Sequence, residues 1–227
     1  MRLLAIGDIH GCLLQLDDLL NLVKPTPDDV VVTLGDYVDR GPDSRGVLDR
    51  LIELKASGLQ LVCLRGNHEQ MMLGARDKDD EYKDWTGEGG LQTLGSFGSS
   101  RGRSGTIGDV PQRYWDFLSD GLVRYHETER HIFVHAGLNR DMPMDEQPDY
   151  LLYWEYLWDD MRHCSGKTVI CGHSSQKSGN VKVVPGAVCI DTYAYGGGWL
   201  TCLDAISGKF WQVNFLGKSR EGSIDFE

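Results

Sequence analysis

The stretch "VVVTLGDYVDRG", residues 30–41, joins two unlike halves. Its first five residues are β-branched or apolar and suit a buried strand. Gly35 then turns the chain, and Asp36, Asp39 and Arg40 follow within five residues. A turn needs a glycine and one polar residue, not two carboxylates and a guanidinium. The same arrangement recurs along the chain. "LLAI" leads into "GDIHG" with Asp8 and His10, and "LQLVCL" into "RGNHE" with Arg65, Asn67, His68 and Glu69. "HIFV" ends at "HAG" with His135, and "TVIC" ends at "GH" with His173. Each strand end delivers oxygen or nitrogen donors, and ligand sites of α/β sheets lie beyond the carboxyl ends of strands.

Helical patterns separate the early strands. Leu13, Leu16, Leu20 and Val23 share one face, as do Val47, Leu48, Leu51 and Ile52, with Asp43 or Ser44 placed to cap the second helix. This is βαβαβ, the signature of a largely parallel sheet. The acidic residues 77–90 read as a solvated loop. Residues 98–109, rich in Gly and Ser, read as another, where Arg101 and Arg103 read first as solvated and only second as substrate-facing. A short helix is expected from Pro111 to Leu118. The later strands lie closer together, which predicts antiparallel neighbours and a second sheet. The expectation is one mixed α/β domain over residues 1–227, with two packed sheets and helices outside.

Composition narrows the class. Of 227 residues, 41% are hydrophobic and 25% charged, ordinary for a globular domain with one substantial core. No apolar run is long enough to span a membrane, and "MRLLAI" is too short for a signal peptide. Six scattered cysteines without a C-x-x-C pair read as reduced thiols of a cytoplasmic protein, Cys12 among them as a packed thiol. A formal net charge of −11 opposes broad nucleic-acid binding. It would also repel a phosphorylated substrate, so some local feature must reverse the sign.

Asp8, His10, Asp36, Asn67, His135 and His173 together supply three imidazoles, two carboxylates and an amide oxygen. That inventory fits two divalent cations and suits Mn, Fe, Zn or Co better than Mg. Two ions about 3.5–4 Å apart need a shared ligand, and Asp36, in the central motif, is the choice. His126, His131 and His163 follow no such strand end and read as packed or solvated.

The five motifs resemble the signature of the phosphoprotein phosphatase branch of the calcineurin-like metallophosphoesterases, in the manner of bacterial serine/threonine protein phosphatases. The resemblance implies a four-layer αββα sandwich of two mixed sheets flanked by helices. It implies one ion on Asp8, His10 and Asp36, and a second on Asp36, Asn67, His135 and His173, with manganese or iron and sometimes zinc. On this reading a metal-bridging hydroxide attacks phosphorus. His68 protonates the leaving oxygen, Asp39 orients His68, and Arg40, with Asn67 and Arg65, faces the phosphate. For Arg65 an ion pair away from substrate is an equal reading. The expected substrate is a phosphorylated protein, peptide or small phosphoester, most directly phosphoserine or phosphothreonine.

One departure bears on substrate. Relatives often carry a second phosphate-binding arginine after a tryptophan in the region before the last GH, whereas Glu155 and Tyr156 follow Trp154 here. Arg162 is a candidate replacement. Tyr193 and Tyr195, before the glycines at 196–198, either line the cleft or pack between the sheets. The alternative activity is symmetrical hydrolysis of diadenosine tetraphosphate, which calls for basic and aromatic groups around the cleft. A non-catalytic binding scaffold of the same fold is a third reading, disfavoured by the completeness of the motifs.

Overall fold

The computed structural model describes residues 1–98 and 104–226, so Arg101 and Arg103 lie outside the described residues. The apolar runs of the first third form β1 (Leu3–Ile6), β2 (Val30–Thr33) and β3 (Gln60–Cys63), parallel neighbours in the order 1-2-3. Two crossover helices connect them, α1 (Leu13–Val23) and α2 (Ser44–Ala56). Asp43 caps the second, its carboxylate accepting from the Gly46 N–H at 2.8 Å. Then follow α3 (Asn67–Ala75), α4 (Asp79–Trp85), α5 (Leu91–Ser96) and α6 (Gln112–Asp120).

The second half supplies β4 (Tyr125–Glu127), β5 (His131–Val134), α7 (Asp149–Trp154), β6 (Thr168–Cys171), β7 (Lys182–Val184) and β8 (Ala187–Cys189). It closes with β9 (Trp199–Asp204), β10 (Lys209–Asn214) and β11 (Ser219–Ser223). One sheet runs β11-β10-β9-β1-β2-β3 and the other β4-β5-β6-β8-β7.

Strand alternation sorts the core into three layers. Ala5, Val32, Phe133, Ile170, Val188 and Leu203 form the cluster between the sheets. The alternate residues Leu4, Ile6 and Val31 pack outward with Leu16, Leu19, Leu48 and Leu51 of α1 and α2. Ile132, Val134 and Val169 pack outward on the other sheet with Leu152 of α7. Because both faces are covered, these strands read as continuous apolar runs. The result is the expected sandwich of two mixed sheets flanked by helices, with α7 and coil making the second outer layer.

Two expectations need correction. The acidic stretch 77–90 is not a solvated loop: α4 occupies half of it and buries Trp85, and a further helical turn, Thr86–Gly90, follows. The second sheet is not antiparallel throughout, since β5, β6 and β8 run parallel. The gap between residues 134 and 168 is a crossover, which the close spacing of the other late strands obscured. Of the edge strands, β7 is too short at three residues and β11 too polar to show an apolar run.

Candidate active site

The chain after β2 passes through two left-handed residues, Gly35 at φ +102° and Asp36 at φ +51°. Glycine takes that region freely and aspartate tolerates it. Glu69, in the first turn of α3, pins the turn. Its carboxylate accepts from the N–H groups of Asp36 (2.9 Å), Tyr37 (2.7 Å), Val38 (3.3 Å) and Gly66 (2.9 Å). Burial and the Asp36 charge push the Glu69 carboxyl up to about 7, against the pull of the backbone donors.

With the turn fixed, the two Asp36 oxygens face different imidazoles. His10 Nε2 lies 3.3 Å from one and His135 Nε2 3.4 Å from the other. Each ring sets its Nδ1 on a carbonyl at 2.8 Å, Val38 for His10 and Leu34 for His135. A carbonyl can only accept, so Nδ1 carries the proton and each Nε2 lone pair is directed at the site. Asn67 Oδ1 lies 2.9 Å from His135 Nε2 and 3.1 Å from His173 Nδ1. The Asp8 carboxylate accepts from the His173 N–H at 3.0 and 3.2 Å.

Lone pairs and buried carboxylates converging in one place repel unless positive charge lies among them. Burial, followed by Asp191 and Asp36, pushes Asp8 well above the carboxylate range. Burial opposes ionisation of Asp36, but His135, His68 and His10 pull it well below that range. Burial and then His135 lower His173 to about 4, which keeps this imidazole neutral and able to act as a ligand. Ligand atoms of His10, Asp36 and His68 all lie within 4.8 Å of one another, as do those of Asp36, His135 and His173. Two overlapping groups of mixed nitrogen and oxygen donors, sharing one carboxylate, fit a pair of divalent cations.

Beside this cluster stands a second, hydrogen-bonded one. Asp39 is fully buried and accepts from His68 Nδ1 (2.7 Å), Trp85 Nε1 (2.8 and 3.0 Å) and Thr93 Oγ1 (2.7 Å). Its own N–H donates to Thr93 Oγ1 at 2.8 Å and Ser44 Oγ at 3.1 Å. With Nδ1 committed, His68 Nε2 is a buried nitrogen without a protein partner, on a residue that lines a cleft of about 540 Å³. Arg40 enters the same cleft, its Cζ 4.9 Å from the Tyr195 ring centre and its Nη1 3.1 Å from His10 Nε2. On the rim, the Tyr156 ring lies 5.2 Å from that of His173, and Trp158 stands nearby along the wall.

A family model described as calcineurin-like phosphoesterase matches residues 1–199. The chain belongs to the calcineurin-like phosphoesterase family. Members generally depend on a pair of metal ions, and the two overlapping donor groups of this phosphoesterase suit that requirement. It is 41% identical over 145 residues to a symmetrical bis(5'-nucleosyl)-tetraphosphatase of Pseudomonas putida, covering 61% of this chain and 43% of the relative. It is 45% identical over 73 residues to serine/threonine-protein phosphatase 1 of Salmonella typhimurium, covering 32% of each. The chain thus spans less than half the length of these curated relatives. Among solved structures it resembles one provisionally assigned as a diadenosine tetraphosphatase, with a TM-score of 0.66 at 23% identity, covering 98% of this chain and 93% of that one. A serine/threonine phosphatase from Saccharomyces cerevisiae gives 0.56 at 16% identity, covering 100% of this chain and 81% of that one. These structural likenesses establish a common fold.

The fold of this phosphoesterase brings together Asp8, His10, Asp36, Asp39, Asn67, His68, His135 and His173, with Arg40 at the edge. Arg65 is a correction. Its Nη2 donates to the carbonyls of Leu118 (3.0 Å) and Ser119 (2.8 Å), near the end of α6, so it faces away from the cleft. Arg162 does not replace the missing arginine, since it folds back on Asp160 at 3.0 Å and lines another concavity. His163 is buried, and His126 and His131 pack on Phe133. Cys12 is a buried thiol that burial pushes up to about 12.

Three contributors escaped the sequence reading. Asp191, at the end of β8, is a further buried carboxylate that accepts from the Tyr193 N–H at 3.0 Å. An acid directly after the apolar run "AVCI" was its available signal, though no glycine marks it. Trp85 and Thr93 hold Asp39 from 46 and 54 residues away, and nothing local announces them.

Proposed function

We propose that the protein is a dinuclear-metal hydrolase of phosphoric anhydrides in nucleoside polyphosphates, of the diadenosine tetraphosphate type. The observation that carries the substrate class is the rim. Where a second arginine was expected, Tyr156 presents an aromatic face 5.2 Å from the His173 ring, with Trp158 and Tyr195 on the same cleft. Aromatic faces stack nucleobases, at about 1–3 kcal/mol per base, and offer nothing comparable to a small phosphoserine side chain. The Pseudomonas relative, named a symmetrical bis(5'-nucleosyl)-tetraphosphatase, supports the same choice.

His10, Asp36, His135 and His173 of the two donor groups, with Asp8 and Asn67 beside them, would hold two divalent ions of the manganese, iron or zinc kind, while His68 of the first group is kept for acid work by Asp39. When bound, such a pair supplies positive charge to phosphoryl oxygens and activates water near neutral pH. The chain's own groups do the rest. Arg40, braced on Tyr195, offers a guanidinium fork to non-bridging oxygens. Asp39 accepts from Nδ1 of His68 and orients the ring, so that a second proton carried on Nε2, which has no protein partner in the cleft, would pass to the departing oxygen. For diadenosine tetraphosphate, one water adds across the middle anhydride and two molecules of ADP leave.

Phosphoserine or phosphothreonine hydrolysis is the second reading, favoured by the 45% match to the Salmonella protein phosphatase. One experiment separates the two. Manganese-loaded protein is given diadenosine tetraphosphate and a phosphoserine peptide side by side, with a chelator control. ADP as the sole nucleotide product, at a higher kcat/KM than the peptide, is the expected result. Faster peptide turnover would overturn the proposal, and no turnover of either would favour a binding scaffold.

A further inference from the structure

Resting on that polyphosphate reading, we propose that Lys177 and Lys182 form a second anion subsite in the cleft, beyond the metal ligands, which holds the distal phosphates of a polyphosphate chain. Both lysines line the same cleft as Asp36, Asn67 and His68. Both are exposed at their positions on the wall.

A relay of rings links Lys177 to the ligand cluster. The Tyr195 ring lies 4.8 Å from that of His10, the Tyr193 ring lies 4.9 Å from Tyr195, and Lys177 Nζ sits 5.9 Å over Tyr193. Arg40 rests on the inner ring of the same pair. Cations therefore flank this aromatic pair at its inner and outer ends. Cation–π contact orients an ammonium without neutralising it, so Lys177 keeps its charge for a ligand.

The backbone also holds the outer ring in place. Tyr193 adopts φ +66°, a left-handed conformation that is strained for a bulky residue. Its N–H is fixed by Asp191 at 3.0 Å, and a Cβ at Gly196 would come within 2.0 Å of the Tyr193 ring. The glycine and the strained turn together let the ring lie where it supports Lys177.

Charge pairing gives an independent reason. In a chain of net charge −11, Lys78, Lys83, Lys167 and Lys209 each stand within 4.0 Å of a carboxylate. Among the described residues, Lys177 and Lys182 have no such partner; Lys24, Lys55 and Lys218 have none either, but of these five only Lys177 and Lys182 line the cleft. Besides Asp36 among the metal ligands, one carboxylate, Asp159, lines the cleft. A monophosphate centred on the metal ligands leaves this part of the cleft unused, whereas a chain of three or four phosphates carries negative charge along it. The subsite would also help to offset the repulsion expected from an acidic protein.

The test is direct binding of inorganic tripolyphosphate and of orthophosphate to manganese-loaded protein by calorimetry, with manganese in excess over the probe. The variants are Lys177→Gln, Lys182→Gln and the double change. Two charge-assisted contacts should make the unmodified protein prefer tripolyphosphate at least about tenfold, and the double variant should reduce that preference below about threefold. A preference that survives the double change, or none in the unmodified protein, overturns the subsite. Cleavage of diadenosine tetraphosphate is scored separately. Cleavage with an unchanged preference removes the subsite and leaves the polyphosphate reading. A collapsed preference without cleavage keeps the subsite and removes the reading.

Discussion

Replacing Trp85 by phenylalanine should weaken fold and turnover for a shared reason. Trp85 is fully buried, and its indole N–H reaches both oxygens of Asp39, at 3.0 and 2.8 Å. Phenylalanine keeps an aromatic ring in the pocket and removes the donor. A hydrogen bond to a charged group contributes about 1.5–3 kcal/mol. The smaller ring leaves a gap that costs about 1 kcal/mol more. Thr93 and His68 still reach the carboxylate, so the expected loss is about 3 kcal/mol rather than that of an abandoned buried charge. Urea unfolding reads it as a lower midpoint with an unchanged slope. With Asp39 less firmly held, His68 loses orientation, and kcat on an alkyl phosphate, whose leaving oxygen needs a proton, should fall about tenfold. Trp85→Leu separates the two effects: its larger cavity should cost further stability, while its rate deficit matches that of the phenylalanine variant. A phenylalanine variant within about 0.5 kcal/mol of the parent and within twofold in kcat would refute the idea that the indole holds Asp39.

Other perturbations reach different parts of the molecule. His68→Asn should slow hydrolysis of an alkyl phosphate about 10²–10⁴-fold and that of p-nitrophenyl phosphate far less, because nitrophenolate departs without a proton; equal losses on both substrates would count against the acid role. A Cβ added at Gly66 would lie 2.1 Å from Asp36 Oδ1, so Gly66→Ala should displace the shared carboxylate and lower bound metal, read by elemental analysis of protein equilibrated with manganese. Full metal content in that variant would remove Asp36 from its central place. Asp29 is held well below the carboxylate range, chiefly by hydrogen bonding to Arg2, whose Nη2 donates at 2.6 Å. A depressed carboxyl stabilises the fold above its unfolded pKa and loses that contribution as pH falls through the folded one. Asp29→Asn should therefore cost about 2 kcal/mol at pH 7 and progressively less below pH 4; a difference independent of pH would show that the ion pair contributes nothing.

Much of the site was legible because metal and phosphate chemistry restricts residue types more tightly than packing does. Asp8, His10, Asp36, Asn67, His135 and His173 each follow an apolar run at a strand end, and the parallel order of β1, β2 and β3 brings three of those ends side by side. Arg65 was harder, because its position next to Asn67 and His68 says nothing about where a long side chain points. Its backbone N–H binds the Val123 carbonyl at 2.9 Å and its guanidinium follows toward α6.

The sequence by itself determined the longer apolar strands and the donor types at their ends, since each depends on residue type and spacing within a few positions; the pairing of Asp39 with His68, 29 positions apart, was implied only by the family resemblance. Only the tertiary structure decided that Asp36 lies between two imidazoles, that Trp85 and Thr93 secure Asp39, and that Tyr156 rather than an arginine faces His173. Those contacts join residues from 17 to 99 positions apart, by the separations of Tyr156 from His173 and of Asp36 from His135. At such separations no local periodicity constrains direction, and the packing of the two sheets sets which side chains meet.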